Sequence, residues 1–169
     1  MERTLRTLAL LFIVLLAIRA FHWYPLLPDP FPIHFNGAGE ADGWAQKSPV
    51  TWGLMALMGP VLAAGLGYLA GRLPGMAAKD AGLINLPDKE RFLRLDAPRR
   101  ADAMRPTALY LRAVSVLLLA LFLYIIEGTG RMATGAWSVL PSWPVFVFIG
   151  GVVGGLPLLL RATRKAMDR

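Results

Sequence analysis

Apolar residues in this chain come in long blocks rather than in alternation. The blocks fall at residues 5–24, 50–70, 107–126 and 139–160, with polar segments at 25–49 and 71–106 between them. A helix crossing a hydrocarbon core of about 30 Å needs about 20 mainly apolar residues, so each block is one crossing. The pattern predicts an all-α integral membrane protein, a single domain over residues 1–169 built as a four-transmembrane-helix bundle.

The cations give the bundle a direction. Arg3 and Arg6 precede the first span; Arg72, Lys79, Lys89, Arg91, Arg94, Arg99, Arg100 and Arg105 fill the second loop; Arg161, Arg164, Lys165 and Arg169 follow the last span. The first and third loops hold only Lys47 and Arg131, while Arg19 and Arg112 lie inside span ends. By the positive-inside rule both termini and the 71–106 loop are expected in the cytoplasm, and the 25–49 loop outside. In a bacterium this is the cytoplasmic membrane. The first span reads as a retained anchor rather than a cleaved signal peptide, because Arg19 stands where a small-residue cleavage site belongs. Arg19 is expected to snorkel to the outer headgroups, with His22, Trp23 and Tyr24 in the interfacial aromatic belt.

Composition agrees with this class. Of 169 residues 56% are hydrophobic and 17% charged, against about 25% charged in an average soluble domain. The absence of cysteine excludes disulfides, thiolate metal sites and cysteine nucleophiles. The net charge of +7 does not point to nucleic acid, since the basic loop carries mixed charge, is held at the bilayer and shows no binding motif. It points instead to orientation, and to anionic lipid headgroups as partners of the cytoplasmic loop.

Glycine and proline mark helix packing. Gly150 with Gly154, Gly151 with Gly155, and Gly67 with Gly71, preceded one turn earlier by Ala63 and Ala64, make strips that let another helix approach closely. Pro60 and Pro157 predict a kink or break in the second and fourth spans. No acid or histidine lies near the middle of a span, so a proton relay across the membrane is not expected. Glu127, at an outer helix end, is expected to be solvated.

The 25–49 loop holds the candidate chemistry. Pro25, Pro28, Pro30 and Pro32 make its lead extended and stiff. Asn36-Gly37 and Asp42-Gly43 are turn dipeptides, and the loop closes with Trp44 and Lys47. In one reading Asn36 and Asp42 cap their own turns, His34 bonds to backbone, and Phe35 and Trp44 rest on the bundle. In the other His34, Glu40 and Asp42 converge on a divalent cation, as an imidazole and two carboxylates can, or with Asn36 and Lys47 present a polar site to an extracellular ligand.

The stretch "LPDPFPIHFNGAGEADGWAQK" resembles the signature of a bacterial membrane domain of unknown function that forms the N-terminal part of SdpI-like proteins, the sporulation-delaying-toxin immunity family. The matching positions are Pro28, Pro32, His34, Phe35, Asn36, Gly39, Asp42, Gly43 and Lys47. A second stretch, "INLPDKERFLRLDAPRR", resembles the family's loop motif at Asn85, Leu86, Pro87, Lys89, Pro98 and Arg99. Residues from Asp88 should form a short helix turning Phe92, Leu93 and Leu95 to the bundle or the lipid. The resemblance implies a membrane fold, with immunity to an extracellular peptide as the associated role, and no enzymatic activity follows from it. The expectation is thus a non-enzymatic multi-pass protein, without a required cofactor, that senses or neutralises an extracellular peptide toxin or envelope-active compound. A metal-dependent membrane hydrolase using the outer loop and an accessory subunit bound to another membrane protein are the alternatives.

Overall fold

Helix α1 (Glu2–Trp23) is the first apolar block, and a single 3-10 turn over Tyr24–Leu26 ends it where prolines begin. The proline-rich lead then pairs with the segment beyond the turn. Strands β1 (Phe31–Phe35) and β2 (Ala41–Ala45) form an antiparallel hairpin with irregular register around His34. Helix α2 (Pro49–Lys79) starts at Ser48, whose side chain accepts from Thr51 N at 3.0 Å, with Pro49 at the first helical position. Such a cap contributes about 1 kcal/mol. Two short helices follow, α3 (Lys89–Leu93) and α4 (Ala97–Ala103), the second capped by Asp96. Helix α5 (Arg105–Ala133) and helix α6 (Trp143–Met167) complete the chain. The computed structural model describes residues 1–168, and Arg169, counted above among the tail cations, lies outside them.

Four helices are long and apolar enough to cross a membrane, which makes this a multi-pass membrane protein. Helix α5 is the centre: α1, α2 and α6 each pack against it, whereas α1 and α2 touch each other only sparsely. The start of α1 and the end of α6 lie at one end of the bundle, where Arg112 reaches Glu2 at 3.2 Å and Met167 packs with Ala77 and Ala103. The hairpin lies at the other. Each end has its own buried cluster. At the hairpin end Leu16, Trp23, Phe31, Trp52 and Ile126 pack together; at the termini end Ala77, Ile84, Phe92, Met104 and Met167 do so.

Several helix expectations change. Helix α2 runs through Pro60 and Pro74, and α6 through Pro157, without a break; neighbouring helices in a membrane tolerate the missing backbone bond. Helix α6 begins at Trp143, because Pro141 keeps residues 139–142 out of it. The strip at Gly67 and Gly71 is not the packing face of α2. Ala56, Ala63, Ala70 and Ala77 are buried instead, at heptad spacing, with Gly59 so near Phe122 that a Cβ there would lie 2.6 Å from its side chain. This is a small-residue seam that lets α2 and α5 approach closely. In α6 only one of the two strips packs: Gly155 faces the Tyr110 ring and Gly151 faces Leu117, while Gly150 and Gly154 meet nothing within 4 Å. Tyr110 Oη donates to Val152 O at 2.6 Å and fixes that pairing. Helix α3 buries Phe92 completely, but Leu93 is exposed.

Candidate functional site

The hairpin is a cap held at its base, its tip and its underside. At the base, Lys47 Nζ donates to Leu27 O at 2.6 Å and Pro25 O at 3.2 Å, and sits over the Tyr24 ring; Lys47 N donates to Asp29 Oδ1 at 2.9 Å. The turn is shaped by Asn36, whose Oδ1 accepts from Ala38 N at 2.9 Å and Glu40 N at 3.0 Å, while its Nδ2 donates to Glu40 Oε2 at 3.0 Å. Gly39 has φ +83° and lies against the Leu140 backbone so closely that a Cβ would overlap it. Only glycine takes that conformation without strain. Leu140 N donates to Gly39 O at 2.8 Å, and Ser142 Oγ to Gly37 O at 3.1 Å, so the segment between α5 and α6 grips the tip. Beneath, fully buried Phe31 meets Trp52 edge to face at 5.7 Å, and Trp52 Nε1 donates to Ala20 O at 2.8 Å.

One polar pair stays open. His34 Nδ1 and Asp42 Oδ1 are 2.5 Å apart, with side chains 71% and 44% exposed. A carboxylate only accepts, so Nδ1 carries the hydrogen, and Nε2 presents a lone pair or, on the protonated ring, a second donor. Gly43 sits directly opposite, where a Cβ would come within 2.8 Å of His34 Cβ. Trp44, expected to rest on the bundle, is instead 56% exposed.

The expected site residues therefore divide. His34 and Asp42 meet each other, Asn36 and Glu40 meet each other, and Lys47 is engaged at the base. Asp42 does not cap a turn, and His34 does not bond to backbone, because each has the other as partner. His34, Glu40 and Asp42 do not converge on one point: among the described residues no group of three or more histidines or acids is placed to hold a metal ion. The second motif lies at the opposite end of the bundle. Asn85 and Pro87 line a cleft of about 240 Å³ beside Thr107 and Thr163. Lys89 Nζ donates to Gly82 O at 3.2 Å, and Arg99 Nη2 lies 3.5 Å from Met167 O. Arg164 pairs with Asp88 at 2.9 Å and Arg91 with Asp168, so the motif loop is strapped to the end of α6.

A further cluster was not anticipated. Glu127 is not solvated: Oε2 accepts from Arg19 Nε at 2.7 Å and Trp23 Nε1 at 2.9 Å, and Oε1 from Arg131 Nε at 2.7 Å. Arg19 lies over the Trp23 ring and Arg131 over Trp137. Arg19 is thus a partner of α5 rather than a free snorkelling side chain. The available signal was the presence of opposite charges at the same ends of two spans.

Comparison with known proteins adds a partial match. No curated protein and no solved structure matches the chain. Residues 10–59, which run from α1 through the hairpin into α2, match the family model of an uncharacterised domain, the domain of unknown function DUF1648.

Proposed function

We propose that this is a non-enzymatic protein of the bacterial cytoplasmic membrane, with both termini in the cytoplasm, whose outward-facing hairpin recognises an envelope-active ligand. A peptide toxin is the ligand class favoured by the resemblance of the hairpin and loop motifs to the SdpI-like immunity family. The carrying observation is the division of roles within the hairpin. Asp29, Asn36, Glu40 and Lys47 hold the backbone in place, whereas His34, Asp42 and Trp44 stand exposed on it. A surface already rigid before contact loses little conformational entropy on binding. An imidazole–carboxylate pair beside an indole offers donors, an acceptor and an apolar face to one peptide.

The test is complementation of a deletion strain. Wild-type protein should restore resistance to antimicrobial peptides, while His34→Ala, Asp42→Asn and Trp44→Ala should not, at equal membrane abundance. A deletion strain with unaltered peptide sensitivity and unaltered envelope-stress response overturns the reading.

A role as an accessory subunit has its own observation: none of the apolar span of α6 is buried, and Gly150 and Gly154 meet nothing within 4 Å. A photocrosslinker at Val153, also exposed there, should capture another membrane protein in native membranes. Capture of lipid alone removes this second reading.

A further inference from the structure

At the termini end, α4, the start of α5 and the end of α6 enclose a cleft of about 650 Å³. Its rim is charged: Arg99 and Asp102 from α4, Arg105 from α5 and Lys165 from α6. Its floor is apolar, formed by residues that include Leu109 and Ala162. Helical spacing puts Ala162 and Lys165 on one face of α6, so the cation stands directly above the apolar surface.

The charges on this rim do not cancel. Arg105 Nε pairs with Asp102 Oδ1 at 2.9 Å. Arg99 has only the Met167 carbonyl, at 3.5 Å, and Lys165 has no ion-pair partner among the described residues. The contrast is with Arg164, one residue before Lys165, which Asp88 neutralises. Arg91 is likewise matched, by Asp168, whereas Arg99 and Lys165 have no acid partner among the described residues.

An anionic group above an aliphatic stem complements such a site. Arginine offers a planar fork that binds two phosphate oxygens, and lysine a compact charge beside it. We propose that the cleft seats an anionic phospholipid from the leaflet on the termini side, its phosphate between Arg99 and Lys165 and the start of an acyl chain along Leu109 and Ala162. A soluble phosphate would satisfy the cations and leave the apolar floor bare. The lipid covers both, and α5 and α6 lead from the floor directly into their apolar spans.

The full chain in phosphatidylcholine nanodiscs, with phosphatidylglycerol as the minor component, tests this by native mass spectrometry. Phosphatidylglycerol should be retained preferentially. A direct hydrogen bond to a charged group is worth about ten-fold or more, so Arg99→Gln with Lys165→Gln should weaken retention about 100-fold. Arg3→Gln with Arg161→Gln removes the same charge from side chains that do not line the cleft; it takes away only the general attraction to the surface and should weaken retention clearly less. Ala162→Trp keeps every charge and fills the floor, and it should also abolish preferential retention. Equal losses in the two double variants, an unaffected Ala162→Trp protein, or displacement of the lipid by an equal concentration of glycerol 1-phosphate would overturn the proposal.

Discussion

Arg19 Nε donates to Glu127 Oε2 at 2.7 Å and thereby locks the hairpin-end terminus of α1 to α5. The same carboxylate receives Trp23 and Arg131, so one acid gathers two guanidinium groups and an indole. Trp23 lies so flat on Gly130 that a Cβ there would overlap its ring. The hairpin begins a few residues beyond Trp23, so the network fixes the base from which it projects.

Removing that acid should cost more than removing the whole pair. Glu127→Ala leaves Arg19 and Arg131 without their carboxylate in a partly buried place, a loss of about 1–3 kcal/mol. Arg19→Met with Glu127→Ala takes away one of the two stranded charges as well. It should be less destabilised than the sum of its single variants, as groups in one network are. Thermal unfolding in detergent of the three proteins measures the coupling, and strict additivity would mean that the two side chains act independently.

The base clamp of the hairpin should respond locally. Lys47→Met keeps the aliphatic stem and loses the ammonium that donates to Leu27 O and Pro25 O. A lost charged hydrogen bond costs about 1.5–3 kcal/mol. Because the clamp ties only residues 25–47, backbone hydrogen exchange should speed up there and stay unchanged in α5. Slower or unaltered exchange in this segment would show that the proline-rich lead is rigid without the lysine.

The tip obeys a different rule. Gly39→Ala places a side chain at positive φ and into the Leu140 backbone, so the contact between the hairpin and the α5–α6 segment should open. Faster exchange at Leu140 N, whose acceptor is Gly39 O, would report it. The same substitution at Gly37, which has nothing within 4 Å, should leave that amide protected.

What the sequence disclosed follows from where contrast exists. Apolar blocks against polar loops reveal four spans, because a membrane crossing demands length and oiliness together. The turn at Asn36-Gly37 was legible for its chemistry, and Asn36 does shape it. The packing face of α2 was not legible. Its apolar residues surround the helix, and in lipid the faces toward lipid and toward partner look alike, so of the strip expected at Ala63, Ala64, Gly67 and Gly71 only Ala63 joins Ala56, Gly59 and Ala70 in the seam. Strand pairing was also hidden, since the irregular register around His34 breaks the two-residue alternation that announces a strand. Arg19 and Glu127 are far apart in sequence, and only the fold brings them together.

That seam gives a packing prediction. Ala63→Leu inserts bulk at a buried position of α2, one turn beyond the tight contact of Gly59 with Phe122, and overpacking costs about 1–3 kcal/mol. Leu62→Ala, one residue away on an exposed face, should cost far less. Melting temperatures in the same detergent should separate the two. Equal effects would mean that α2 packs on α5 through another face.

Orientation rests on a simple electrostatic rule and has a direct chemical readout. The chain contains no cysteine, so a single one introduced at Ala38 or Ala101 is the sole thiol. Ala38 is exposed at the hairpin tip, and Ala101 lies in α4 at the other end of the bundle. An impermeant maleimide applied to intact cells should label the Ala38→Cys protein and spare the Ala101→Cys protein, with both reacting once the membrane is opened. This expectation rests on the cations concentrated at the termini end, since basic segments resist translocation. Labelling at Ala101 with protection at Ala38 would turn the molecule over. It would place the His34–Asp42 pair in the cytoplasm, out of reach of an extracellular peptide.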